Sequence, residues 1–150
     1  MMSEVSHWSL GTKLEKEEKY QEALEHYLKE AEIQKEKKNI AMAALSLLSA
    51  AKCALKIGDK KAAITLFDLA GDSYVEYADS TASISPRSSI WGYKMASKCY
   101  MWANKFEKAE KALETANSMK DKLEPSNDLG AGVPLFRPYK KKEKGEKEEK

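Results

Sequence analysis

Few residues in this chain could do chemistry, and none of them stands at a spacing that would let two act on one atom. His7 and His26 belong to no HExxH-type arrangement, so they read as surface or hairpin-packing residues and not as metal ligands. Cys53 and Cys99 lie in apolar stretches with no CxxC spacing. They form neither a disulfide framework nor a metal knuckle, and are expected to be buried thiols. Gly130–Ala131–Gly132 follows no strand and opens no helix, so it reads as a turn and not as a phosphate cradle. Paired carboxylates such as Glu17 and Glu18 fall on a polar face, where no desolvation would shift their titration. The expectation is a protein that is not an enzyme, with no catalytic residue, no metal and no cofactor.

The elements that would carry these residues are helical. With 42% hydrophobic and 33% charged residues but only 7 Gly and 4 Pro, the composition favours helix, and 150 residues suit one domain and a tail. The longest apolar stretch, from Ile40 to Leu55, is broken by serines and Lys52 and is too short for a membrane span of about 20 residues. The opening MMSEVSHWSL lacks the features of an export signal, which gives a cytoplasmic expectation. Net charge is +2, and the six Lys and four Glu from Lys140 onward account for all of it, leaving residues 1–139 neutral. A neutral body disfavours nucleic-acid binding.

Apolar residues recur at helical spacing in six segments. Ser6 can cap a first helix running to about Glu18, and a second follows from about Tyr20 to Lys37. Asn39 is placed to cap a third, which ends at Ile57 before Gly58, and Asp59 to cap a fourth, which ends near Tyr77. The small polar residues 78–85 read as a loop. Ser85–Pro86 opens a fifth helix reaching Ala103, and the sixth runs from Lys105 to about Leu123, stopped by Pro125. The pairs are then about 6–37, 40–77 and 86–123 in a domain of residues 1–124. Residues 125–150 are expected to form a disordered Lys/Glu-rich tail.

The pairs share a register. Ala23, Ala63 and Ala109 align, with Tyr27, Phe67 and Leu113 four residues on and Gly11, Ala51 and Ser97 twelve residues back. Small residues at a crossing let two helices approach, and the larger residue one turn later fills the gap to the next pair. With Leu10–Gly11 in the first helix and Ala23, Tyr27 and Ala31 in the second, the pattern resembles the tetratricopeptide repeat, over about residues 5–124. The spacing between aligned alanines is 40 and then 46 residues, longer than the family's 34. Longer pairs of this sort are similar to those of soluble attachment factors of membrane-fusion machinery.

The resemblance implies an all-α fold of three antiparallel helix pairs stacked as a right-handed α-solenoid, and a protein-interaction adaptor, assembly factor or subunit. It also implies that first helices line a concave groove, at Trp8, Thr12 and Lys16, then Leu48, Lys52 and Lys56, then Lys94, Lys98 and Trp102, with Trp91 a further apolar anchor. Five of those nine repeat positions are lysines. Like charges four apart on a helix repel by a few tenths of a kcal/mol, so Lys52 with Lys56 and Lys94 with Lys98 suggest an anionic partner, an acidic or C-terminal peptide. A second candidate is the tail motif with Leu135, Phe136, Arg137 and Tyr139 between and beside two prolines. The uncovered outer face of the sixth helix offers a route to self-association. The alternative is a small helical regulatory or nucleic-acid-associated protein using the basic tail.

Overall fold

A computed structural model describes residues 6–123, and the tail motif at Leu135, Phe136, Arg137 and Tyr139 lies outside them. The elements are six helices, α1 (His7–Lys16), α2 (Tyr20–Glu36), α3 (Ile40–Lys56), α4 (Lys60–Thr81), α5 (Pro86–Trp102) and α6 (Phe106–Leu123). The chain divides into two compact units, residues 1–116 and 117–150. In the first, each helix packs on the next from α1 to α5. The α5 hydroxyl of Ser97 donates to the α6 carbonyl of Ala109 at 2.8 Å, and Lys108 of α6 reaches Asp68 and Asp72 of α4. The fold is an all-α arrangement of helical hairpins, as the repeat pattern implied.

Tight turns make the hairpins. Glu18, Lys38, Gly58 and Asn104 each hold positive φ, between 62° and 82°, one residue past a helix C-cap. The amides of Lys19, Asn39, Asp59 and Lys105 then reach back to the carbonyls of Leu14, Gln34, Ala54 and Tyr100 at 2.8–2.9 Å. This is the Schellman closure, which reverses the chain within three residues. One of those four positions is a glycine, and left-handed backbone costs other residues about 1–2 kcal/mol. Lys38 is exposed, so Lys38→Gly should raise stability by about 0.5–1 kcal/mol, which a urea midpoint measures.

The twelve-residue register is the packing contact itself. Gly11 and Ala23, Ala51 and Ala63, and Ser97 and Ala109 are all buried. Tyr27 lies over Gly11, where an added Cβ would come within 2.9 Å of its ring, and its hydroxyl donates to Glu15 at 2.7 Å. Tyr100 repeats the device over Gly71 and donates to Asp72 at 2.7 Å. Ser6, Asp59 and Ser85 cap their helices through side-chain oxygens, and Asn39 does not. Its side-chain amide donates instead to Gln34.

Two expectations are corrected. Residues 78–81 belong to α4, not to a loop, because Ala78 is fully buried and its carbonyl accepts from Ser89 of α5 at 2.7 Å. Tertiary packing there outweighs a run of Ser, Thr and Asp. Leu113, expected to fill a gap between hairpins, is 43% exposed, since nothing among the described residues covers that side of α6.

Burial holds two thiols and a phenol neutral. It pushes Cys53 up to about 11 and Cys99 to about 12, from an ordinary value of 9.0, and Tyr74 from 10.0 to about 12. A raised value means that the stabilising contribution is whole below the ordinary pKa and lost as pH climbs through the folded one. Stability should therefore hold to about pH 9 and fall between about pH 9 and 12, read by circular dichroism. At pH 8 both thiols should resist a thiol reagent until denaturant is added.

Candidate protein-binding face

Charge is sorted by helix. The first helices α1, α3 and α5 carry seven basic residues, Lys13, Lys16, Lys52, Lys56, Arg87, Lys94 and Lys98, against one acid, Glu15. The second helices α2 and α4 carry nine acidic residues against four lysines. A body neutral in sum is thus basic along one set of helices and acidic along the other. The described ion pairs join Lys19 to Glu17, Lys105 to Asp68, and Lys108 to Asp68 and Asp72. Among the described residues, Lys16, Lys52, Lys56, Lys94 and Lys98 have no carboxylate partner, and all five are exposed.

The expected groove residues divide into those that meet and those that do not. Lys52 Nζ lies 6.0 Å over the ring of Trp102, which is 48% exposed and packs on Phe67 at 5.3 Å. This contact brings the C-terminal halves of α3 and α5 side by side, with Lys98 one turn before Trp102. Lys56 lies 5.9 Å over Tyr20. Lys94 is exposed nearer the start of α5, and Trp91, beside it in sequence, sets its edge against Tyr74 and Tyr77 of α4. Lys16 is exposed at the end of α1.

Three positions sit elsewhere. Leu48 is 4% exposed and belongs to the core, because α3 is covered by both α2 and α4 and keeps only a narrow open strip. It cannot anchor a ligand from the surface. Trp8 is half-buried inside the first hairpin, with its ring 5.1 Å from Tyr27. Thr12 is half-buried and spends its hydroxyl on the Ser9 carbonyl of its own helix.

The structure adds anchors that the sequence reading missed. Leu55 and Met101 are 50% and 51% exposed, next to Lys56 and Trp102. They occupy equivalent positions, 46 residues apart, and Phe106 at the start of α6 is 57% exposed. Monomers scatter single apolar residues on their surfaces, but a register-equivalent pair beside unpartnered lysines is the composition of a docking face. Their mismatch with the core stripe was the available signal.

Among the described residues no helix is long and apolar enough to cross a membrane, and no group of three or more His, Cys, Asp or Glu could hold a metal ion. A family model described as SNAP, soluble NSF attachment protein, matches residues 3–131. Neither the curated proteins nor the solved structures contain a match to the chain.

Proposed function

Since the chain belongs to the soluble NSF attachment protein family, a family of helical protein-interaction adaptors, we propose that it is a non-catalytic adaptor binding an acidic protein segment along its first helices. One observation carries this reading: five exposed lysines without carboxylate partners lie on α1, α3 and α5, and neither α3 nor α5 contains an acid. An acidic partner would relieve the repulsion within Lys52–Lys56 and Lys94–Lys98 and supply the missing counter-charges. Trp102, with Leu55 and Met101, would give the apolar contact that fixes position, while the lysines steer the encounter.

The reading is tested by charge reversal. Affinity capture on the full chain followed by mass spectrometry supplies a binding partner, and Lys52→Glu with Lys98→Glu should weaken the binding of that partner. Unchanged binding rejects the face.

A further inference from the structure

We propose that His7 and His26 form a two-imidazole site for a divalent transition-metal ion of the nickel or copper kind. The two Nδ1 atoms approach to 2.9 Å, and the rings stack with centroids 5.2 Å apart and planes 29° from parallel. One residue comes from each helix of the first hairpin. His7 is the first residue of α1, fixed by the Ser6 cap that accepts from Ser9 N–H. The next residues along both helices, Trp8 and Tyr27, are also in ring contact, at 5.1 Å. Tyr27 is tied to Glu15 in turn, so both imidazoles sit on a braced frame. Such a frame lets a ligand pair keep its spacing without a metal.

Two converging imidazole nitrogens leave room for one proton or one Lewis acid. As a hydrogen bond, one Nδ1 carries the proton and the other accepts. A metal ion replaces that proton and takes both lone pairs. Two metal–nitrogen bonds of about 2.0–2.1 Å spanning 2.9 Å meet at about 90°. That is the cis angle of square-planar or octahedral coordination, the preference of Cu2+ and Ni2+. Tetrahedral Zn2+ would need nitrogens about 3.3 Å apart, a poorer fit. Both rings are half-buried, which leaves a side open for water to complete the coordination.

The test uses the untagged full chain, with Ni2+ titrated at pH 7.5 by calorimetry. The wild-type chain should bind one Ni2+ and gain thermal stability from it. His7→Gln and His26→Gln should each weaken binding by about 10-fold or more, and the double variant should lose both the binding and the stabilisation. Paramagnetic broadening of wild-type amide resonances gives a readout that needs no variant, and it should centre on residues 7 and 26. Undiminished Ni2+ binding in the double variant, broadening centred elsewhere, or no binding to the wild-type chain overturns the site.

Discussion

Gly71→Ala should destabilise the protein by about 2 kcal/mol, although alanine is the better helix former. Gly71 lies inside α4, where propensity alone favours alanine by about 1 kcal/mol. Against this, the added methyl would come within 2.5 Å of Tyr100 Cε1 and 2.7 Å of Cδ1, a distance that real contacts do not reach. The ring cannot swing away freely, because Tyr100 is 4% exposed and its hydroxyl donates to Asp72 at 2.7 Å. Overpacking costs about 1–3 kcal/mol, and a strained hydrogen bond to a carboxylate can cost about as much again. For a unit near 100 residues, each kcal/mol is roughly 4–8 °C of melting temperature. Gly11→Ala should cost less, since its methyl would stop 2.9 Å from the Tyr27 ring. A double-mutant cycle with Tyr100→Leu should recover much of the loss at Gly71. If Gly71→Ala stabilises the protein, propensity has won and the close approach is not the constraint described.

The same contact shows what the sequence made legible. Gly11, Ala51 and Ser97 could be aligned with Ala23, Ala63 and Ala109 because a hairpin crossing demands small residues on both helices at a fixed separation, and that demand leaves a trace in one dimension. Caps at Asp59 and Ser85 were legible for a similar reason, since each is a local bond between neighbours in sequence. What depended on a third helix was not. Ala78 could be assigned to α4 only once α5 was known to lie on it, and Leu48 seemed open only because the second helix covering α3 was not counted. Leu113 obeys the register yet stays exposed, since a repeat rule describes interior units and fails where the stack has no next hairpin. The lysine pairs were visible as spacing, but the separation of charge between first and second helices emerges only when each segment has been placed. His7 and His26 meet across 19 residues through a turn whose geometry rests on Glu18 at positive φ, and no spacing rule announces that.

Lys52→Glu with Lys98→Glu should move binding and stability in opposite directions, and that divergence makes it a sharp test of the proposed face. Each substitution turns an attraction for an acidic partner into a repulsion. An exposed charge pair is worth about 0.2–1 kcal/mol, so two reversals should cost about 1–3 kcal/mol, or roughly 5- to 150-fold in affinity. Most of the loss should appear in the association rate and shrink as salt rises past a Debye length of about 8 Å. Folding should respond the other way. Both lysines are exposed and have no carboxylate partner among the described residues, so nothing is broken by removing them. The new glutamates would stand four residues from Lys56 and Lys94, which replaces two repelling pairs by two attracting ones and adds a few tenths of a kcal/mol to stability. Lys52 also lies over the Trp102 ring, so Trp102→Ala should weaken the partner separately, through lost apolar contact and with little salt dependence. Weaker binding with equal or higher stability, measured on the same samples, identifies a contact face. A parallel loss of both would mean that the lysines support the fold, and unchanged binding would mean that the partner docks elsewhere.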